Sequence, residues 1–426
     1  MKRILFSSFA FCSSFVFQAA AQTPPVETSA PEPPKSTAKP PIDLSGYLQI
    51  QYEHHQDSED RLGPGGGVLN QDRFLVRRAR FKAQNEGEYS SFMLELDGNT
   101  RSGPTLRLYR AEASLFYRHE PNAKNPLVKL TAGVTDVPFG YETTESSRAR
   151  FFMERSRAAR AFFPSPPDLG LKLTGEYRFL RYALAVQNGE PFGVRNGFTM
   201  QDPNAAKDVV GRLGAFGELA PGFEVSGGVS GLTGKGFHKG RDATEDSVAW
   251  EDANGDGQIQ DGELQGIPGS AATPSRNFDR WLVGADLQLR LKTKLGRTTL
   301  YGEVQAGSNM DRGSFVADPI AAGGNVRELG YYVGLLQEVT PYGIIGFRYD
   351  HYAPDAEIFG GSGNRLGASA AGIDTFSPMA ALVLPRRARL VVQYDIVRDR
   401  MATNAAGLPT DAKNDVLTVR LQVEAP

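Results

Sequence analysis

The segment Val416–Val423, VLTVRLQV, alternates apolar and polar side chains from Leu417 onward. One face carries Leu417, Val419, Leu421 and Val423, and the other carries Thr418, Arg420 and Gln422. Such a period of about two residues is typical of a β-strand with one apolar face. The preceding segment, Ala388–Ile396, has the same pattern. The C-terminal part of the chain is therefore predicted to consist of strands.

The same alternation continues upstream to residue 42, with no convincing amphipathic helix of ordinary length. It predicts 16 strands near 46–55, 73–85, 88–97, 105–118, 127–136, 169–179, 180–188, 207–219, 222–232, 277–292, 297–308, 326–339, 342–352, 374–384, 387–399 and 414–424. Long and short connections alternate between these strands. Short periplasmic turns and long outer loops are typical of membrane barrels, whereas a β-sandwich needs no such parity. We therefore predict a 16-stranded antiparallel transmembrane β-barrel with long extracellular loops over residues 42–426.

The first 21 residues have the pattern of a segment that directs export from the cytoplasm. Lys2 and Arg3 precede the apolar run Ile4–Phe17, and Ala19–Ala21 offers a cleavage site, so residues 1–21 are predicted to be a signal peptide. The single cysteine, Cys12, lies within it, and the mature chain is expected to lack disulfides. Residues 22–41 are rich in Pro and predict a disordered linker. The expected location is the outer membrane of a Gram-negative bacterium.

The charge balance is close to neutral, with 47 Lys and Arg against 49 Asp and Glu. No general attraction to polyanions follows, so we expect lipid and small solutes rather than nucleic acid as partners. The polar strand faces nevertheless carry many charges of both signs, which a dry sandwich core could not hold. They indicate a water-filled lumen.

A basic run lies between the predicted strands 127–136 and 169–179. Its five arginines surround one acid, Glu154, and they are Arg148, Arg150, Arg155, Arg157 and Arg160. Loops longer than about 15 residues are usually functional, and guanidinium groups offer paired donors to phosphate or carboxylate oxygens. We therefore expect this loop to fold into the pore as an anion-selecting constriction. In the alternative, it pairs with lumen acids such as Glu95 and Asp97 and only narrows a general porin.

Four segments resemble the phosphate-selective porin O and P family. They are FLVRRARF (Phe74–Phe81), VPFGYE (Val137–Glu142), FFMERSRAARAFFPSPPDLGLKLTG (Phe151–Gly175) and LRYALAVQNGEPFG (Leu180–Gly193). The resemblance implies a 16-stranded, trimeric porin that carries phosphate, polyphosphate or other small anions along an arginine-lined path. It makes Arg77, Arg78 and Arg80 candidate pore residues beside the arginines of 148–160. Because strict alternation turns only one of Arg77 and Arg78 inward, we expect the other near a rim or paired elsewhere.

The long connection Thr233–Arg276 contains a second motif. Asp252–Glu263, DANGDGQIQDGE, fits the EF-hand loop pattern at every defined position. The predicted calcium ligands are Asp252, Asn254, Asp256, Gln258 through its carbonyl, Gln260 through water and Glu263. We expect a structural Ca²⁺ that orders this extracellular insertion, flanked by helical turns. In the alternative, the loop is acidic and Gly-rich and binds nothing.

Other functions have weaker support in the sequence. It shows no nucleophile triad, phosphate-cradling glycine loop or zinc-ligand spacing, so we expect a protein that is not an enzyme. A general or carbohydrate-type porin is the nearest alternative, and an aromatic path for sugars could use Phe152, Phe162 and Phe163. A structural or adhesive barrel that uses its calcium loop for contacts is a third interpretation.

Overall fold

A computed structural model describes residues 42–56, 72–101, 103–120, 123, 125–190, 202–355, 372–384, 387–401, 411 and 413–425. The predicted signal peptide and linker, residues 1–41, lie outside these residues.

Eighteen strands are present in the described part of the chain. Their bounds are β1 Asp43–His55, β2 Arg73–Glu86, β3 Ser90–Asn99, β4 Thr105–Tyr117, β5 Val128–Asp136, β6 Pro167–Tyr177, β7 Leu180–Gln187, β8 Asp208–Ala220, β9 Phe223–His238, β10 Ser247–Trp250, β11 Leu264–Ile267, β12 Arg276–Lys292, β13 Arg297–Ser308, β14 Arg327–Glu338, β15 Gly343–Ala353, β16 Ile373–Leu384, β17 Ala388–Asp399 and β18 Val416–Ala425. Two short helices are α1 Arg157–Phe162 and α2 Pro319–Ala322.

All strands except β10 and β11 form one closed barrel. Each barrel strand pairs antiparallel with the strands before and after it in sequence, with two exceptions: β9 pairs with β12, and β1 pairs with β18. The pair β10–β11 forms a separate two-stranded sheet in the connection from β9 to β12, and β1 pairs with β18 to close the barrel. The predicted 16-stranded antiparallel barrel is thus confirmed.

None of the helices in the described ranges is long and apolar enough to cross a membrane.

The barrel wall is apolar outside and polar inside. In β1, Leu48 is 39% exposed and Ile50 40%, whereas Gln49 is 0% and Gln51 3% exposed. This inverts the pattern of a water-soluble sheet and matches a wall whose outer surface meets lipid. The alternation expected from the sequence therefore has the predicted orientation.

The connection from β5 to β6, residues 137–166, folds against the inner wall and is called here the inward loop. Four of its five phenylalanines, Phe139, Phe152, Phe162 and Phe163, are at most 1% exposed. Three of them share a buried cluster with Leu282 of β12 and Tyr352 of β15. Burial of apolar side chains against the wall therefore holds the loop inside the barrel.

A second connection, from β13 to β14, supports α1 from the other side. The backbone N–H of Arg312 donates to the carbonyl oxygen of Ala161 at 2.9 Å, and Arg312 Nε donates to the carbonyl oxygen of Phe162 at 2.9 Å. Asp311 stabilises this connection because its carboxylate accepts N–H bonds from Gly313 and Ser314. The helix is therefore held between the wall and a neighbouring loop.

Gly133 of β5 offers a test of the barrel wall. Its φ of +122° lies outside the range that other residues adopt easily, and an added Cβ would meet the carbonyl oxygen of Ala111 on β4. We expect Gly133→Ala to lower the free energy of unfolding by about 2 kcal/mol or more, measured by urea titration of the barrel refolded in vesicles. The control Ala132→Val adds bulk on the exposed outer face, and we expect little change. Equal stability of the Gly133→Ala and native proteins would contradict the expectation.

Candidate functional site

Hydrogen bonds to wall side chains fix the start of the inward loop. The N–H of Gly140 donates to Ser230 Oγ at 3.0 Å, and the N–H of Glu142 donates to Glu303 Oε2 at 3.2 Å. Further along, Met153 N–H donates to Gln393 Oε1 at 2.8 Å. The wall thus supplies acceptors for loop N–H groups that would otherwise be buried without partners.

Glu142 sets the position of α1. Its Oε1 accepts from Arg348 Nη1 at 2.9 Å, and its Oε2 accepts from the N–H of Ser156 at 2.7 Å. Ser156 is the N-cap of α1 and its hydroxyl accepts from Ala159 N–H. Asp350 of β15 accepts from the N–H of Arg157 at 2.7 Å. Two carboxylates and a cap therefore satisfy the donors at this helix start.

Glu154, the acid inside the basic run, pairs with the wall. Arg77 makes two bonds of 2.9 Å to its two oxygens, Arg78 Nη2 donates at 2.9 Å and Arg420 Nη2 at 3.0 Å. Burial acts to raise the pKa of this carboxyl, but the three guanidinium groups hold the pKa of Glu154 well below its usual range. One carboxylate therefore serves three cations, and the local balance is positive.

The expectation for Arg77 and Arg78 was wrong, since both reach Glu154. Gln49 of β1 pairs with Arg78, but the next residue, Ile50, pairs with Val76. Arg77 is the extra residue of a β-bulge, which interrupts the alternation of faces. Both side chains can then approach the loop from one strand.

Three other predicted pathway arginines also have carboxylate partners. Arg80 lies 3.2 Å from Glu95 and 3.1 Å from Asp97. Arg148 pairs with Glu424 at 2.6 Å, and Arg150 lies 3.5 Å from Glu145. These cations are compensated and position the loop and wall.

The wall acids Glu95 and Asp97 do not take up the loop arginines. Glu95 pairs with Arg80 and Arg110, and Asp97 pairs with Arg80 and Arg107. In the described residues, neither acid has an ion pair with the inward loop. The specific pairing expected in the neutral-sieve alternative is therefore absent there.

Arg155, Arg157 and Arg160 differ from the other members of the set. Within the described ranges, no carboxylate oxygen lies within 4.0 Å of their guanidinium nitrogens. Arg155 donates to the carbonyl oxygens of Glu142 and Thr143, at 2.9 and 3.4 Å, and Arg157 Nε donates to Thr375 Oγ1 at 3.1 Å. Arg160 is exposed.

Arg155 and Arg157 remain charged at neutral pH. Burial, and then the neighbouring Arg150, lower the pKa of Arg155 to about 10. Burial, and then Arg160, lower the pKa of Arg157 to about 10. Carbonyl and hydroxyl acceptors orient a guanidinium group without neutralising it. The guanidinium groups of Arg155 and Arg157 are therefore oriented without losing their positive charge.

Alternation puts Arg420 on a polar strand face, but sequence reasoning missed that Arg348, Arg389 and Arg420 all bind the inward loop. Arg389 donates to the carbonyl oxygens of Arg148 and Ala149, and Arg420 Nη1 donates to that of Met153 at 2.8 Å. Alternation shows which face such an arginine occupies. It gives no sign of a partner more than 200 residues away in sequence.

The EF-hand-like segment forms the connection between β10 and β11. The prediction that helical turns flank it was wrong, because both flanks are strands. The backbone groups of Ser247–Trp250 form antiparallel pairs with those of Leu264–Ile267. Asp252, Asn254 and Asp256 accept backbone N–H bonds within the loop, Gln258 and Gln260 donate to Asp256, and Glu263 accepts from Trp250. Across the part of the chain that the structure describes, no group of three or more His, Cys, Asp or Glu side chains converges to hold a metal ion.

Solved porin structures share this fold. The chain is similar to an anion-selective porin from Comamonas acidovorans, with a TM-score of 0.55, 11% identity and coverage of 90% of this chain and 99% of that chain. It is similar to OprB of Pseudomonas putida, with a TM-score of 0.54, 11% identity and coverage of 90% and 94%. It is also similar to the trimer form of OmpT from Vibrio cholerae, with a TM-score of 0.50, 9% identity and coverage of 90% of this chain and 99% of that chain.

No curated protein matches the sequence significantly. The sequence model of the family "Phosphate-selective porin O and P" matches residues 47–246, which include all four segments that carried the resemblance. The closed barrel, its polar interior and its porin neighbours agree with that match. Residues 47–246 thus match the phosphate-selective porin O and P family, and the whole barrel has the fold of the porins of the Gram-negative outer membrane, where this protein is located.

Proposed function

We propose that this porin prefers small anions, including phosphate, and that Arg155, Arg157 and Arg160 of the inward loop provide the preference. The observation that carries the proposal is that, among the described residues, no carboxylate oxygen lies within 4.0 Å of these three guanidinium groups, on a loop held inside the barrel. The other five predicted pathway arginines, Arg77, Arg78, Arg80, Arg148 and Arg150, contribute to the shape of the path through their ion pairs.

The distribution of charge supports this division of roles. Glu154 faces Arg77, Arg78 and Arg420 together, so this cluster adds positive charge rather than removing it. Glu142 is occupied by Arg348. Because Coulomb interactions strengthen where water is partly excluded, an uncompensated guanidinium there attracts anions and repels cations.

The geometry also favours release of the bound anion. Arg155 and Arg157 are held by neutral acceptors, and Arg160 is exposed, so each offers a moderate rather than a deep site. Conduction requires attraction that is strong enough for entry and weak enough for exit, and several moderate sites satisfy both needs. Paired guanidinium donors suit the oxygens of phosphate better than a spherical halide.

The family description and one neighbour point the same way. The matching family is described as phosphate-selective, and the Comamonas porin as anion-selective. We extend both properties to this chain as part of the proposal, together with a homotrimeric assembly in lipid, since OmpT is described in a trimer form.

The carbohydrate-type alternative loses its specific support. Phe152, Phe162 and Phe163 are at most 1% exposed and pack in the interior of the inward loop and wall. Aromatic rings bind sugars only through accessible faces, so these three do not form a sugar path. A general porin without anion preference is the alternative that the following experiments separate.

The first test removes the uncompensated charges. We expect Arg155→Ala, Arg157→Ala and Arg160→Ala together to lower the anion-to-cation permeability ratio by about tenfold, which corresponds to about 1.4 kcal/mol. Reversal potentials in planar bilayers under a salt gradient measure the ratio, and competition by phosphate tests the finer preference.

A matched control removes three exposed cations elsewhere. Lys235, Lys239 and Arg241 lie at the end of β9 and just after it, and all three are exposed. We expect their joint replacement by Ala to leave the permeability ratio nearly unchanged in salt that screens surface charge. Equal effects of the two triple variants, or none from the first, would refute the assignment.

The second test adds positive charge without shortening a side chain. Glu154→Gln retains an oxygen acceptor for Arg77, Arg78 and Arg420 but removes their shared negative charge. We expect the anion-to-cation permeability ratio to rise about twofold or more, measured by the same reversal potentials. The control Asp279→Asn removes an equal charge from a side chain that is 85% exposed. A ratio that stays constant, with the barrel still folded, would show that the cluster does not face the ion path.

A further inference from the structure

The hairpin of β10 and β11 is a separate feature of the fold. It forms its own two-stranded sheet, and the anion pathway uses none of its residues. The loop between its strands, Asp252–Glu263, is called here the hairpin loop. The hairpin loop contains no basic residue. Its four acidic residues are Asp252, Asp256, Asp261 and Glu263.

The first half of the hairpin loop is tightly turned. Asp252 accepts N–H bonds from Gly255 at 2.7 Å and Gly257 at 2.8 Å, and Asn254 Oδ1 accepts from Asp256 N–H at 2.9 Å. The φ angles of Gly255 and Gly257 are +74° and +71°, which glycine alone adopts at little cost. The turn gathers three oxygen-bearing side chains, but internal bonds alone do not imply an ion.

The burial of Glu263 is a second observation, independent of the turn, that points to a bound ion. Glu263 is 8% exposed, whereas the other residues of the hairpin loop are exposed or half-buried. Its Oε2 accepts from Trp250 Nε1 at 3.0 Å, but its Oε1 is buried and has no hydrogen-bond partner. No Lys or Arg in the described ranges forms an ion pair with it.

A buried, unpaired carboxylate oxygen is costly. Leaving a charged group buried without a partner is destabilising, and a hairpin with little apolar burial has few interactions to offset that cost. The backbone holds Glu263 in place, since its N–H donates to the carbonyl oxygen of Gln260 and its own carbonyl accepts from Glu251. A cation is the kind of partner that would offset the charge of this carboxylate.

We propose that the hairpin loop binds one Ca²⁺ through Asp252, Asn254, Asp256, the carbonyl oxygen of Gln258 and Glu263, with Gln260 acting through water. All of these donors are oxygens, and their number and flexible spacing suit Ca²⁺ better than the strict octahedron of Mg²⁺. No sulfur or imidazole ligand is present in the loop to favour a transition metal.

Binding includes one rearrangement. The carboxylates do not converge in the structure, and Glu263 is bonded to the indole of Trp250. Ca²⁺ draws Glu263 across to the oxygens of the turn, which satisfies Oε1 and frees Trp250 Nε1. The two ends of the hairpin loop are then joined through the ion, so the hairpin becomes ordered without a hydrophobic core of its own.

The position of Trp250 allows a direct test on the full-length protein in detergent. After removal of divalent ions, Tb³⁺ is added, and its luminescence is excited through tryptophan and then displaced with CaCl₂. The chain has two tryptophans, and Trp281 lies in the barrel strand β12. We expect Trp250→Phe to abolish most of the sensitised signal while calorimetry still detects Ca²⁺ binding, with a dissociation constant of about 0.1–1 mM.

Two matched variants decide whether the binding is specific. We expect Glu263→Gln to weaken Ca²⁺ binding at least about tenfold, since it removes the closing bidentate ligand. Asp261→Asn removes an equal charge from an exposed acid that is not a predicted ligand, and we expect a change below about twofold. Heat-dependent mobility on gels checks that both variants fold.

Equal weakening by the two variants would mean diffuse charge attraction and would overturn the proposal. Absence of saturable Ca²⁺ binding up to about 10 mM would also overturn it. These outcomes are independent of the anion preference, because Arg155, Arg157 and Arg160 are unchanged in both variants.

Discussion

Pairing of β1 with β18 is the constraint on which the rest of this structure depends. A closed sheet has no free edge, so all of its strands can lie in lipid. Its polar side chains then point into the barrel and must find their partners there. The inward loop supplies many of those partners. Gln49, Arg420 and Gln422 sit on the two strands that meet at the closure, and all three bond to the inward loop. The seam of the barrel and the anchoring of the loop are thus built from the same strands.

The charged residues of the inward loop have two kinds of partner. Glu142 and Glu154 belong to the loop but are held by the wall arginines Arg348, Arg77, Arg78 and Arg420. The loop arginines at 155 and 157 are held by neutral oxygens instead. These two carboxylates therefore fasten the loop to the wall, whereas Glu145, the third acid of the loop, pairs with Arg150 within the loop. If Glu142 or Glu154 paired with Arg155 or Arg157 instead, the loop would lose both its attachment and its excess charge.

The sequence predicted those parts of the structure that depend on neighbouring residues. Alternation in segments such as Val416–Val423 is local, so it predicted the strands and their apolar faces, and parity of the connections predicted the closed barrel. The bulge at Arg77 depends on the register with β1, and the contacts of Arg389 and Arg420 with the loop join residues more than 200 apart. The sequence of a single strand contains no pattern that predicts either the bulge or these contacts. The flanks of the hairpin loop were wrong for a related reason, because their strand structure comes from pairing with each other.

The two charged sites of this protein have opposite signs, and this bears on their independence. The hairpin loop is acidic, whereas the inward loop has an excess of arginine. Charges in water are screened over about 8 Å at physiological ionic strength, so the acidic hairpin opposes anion entry only if anions pass within about that distance. Bound Ca²⁺ would cancel two of its four negative charges and reduce that opposition further. The proposed ordering of the hairpin by Ca²⁺ would not depend on screening in this way, since it would act through direct coordination. The salt dependence of any effect on conductance therefore separates an electrostatic role of the ion from a structural one.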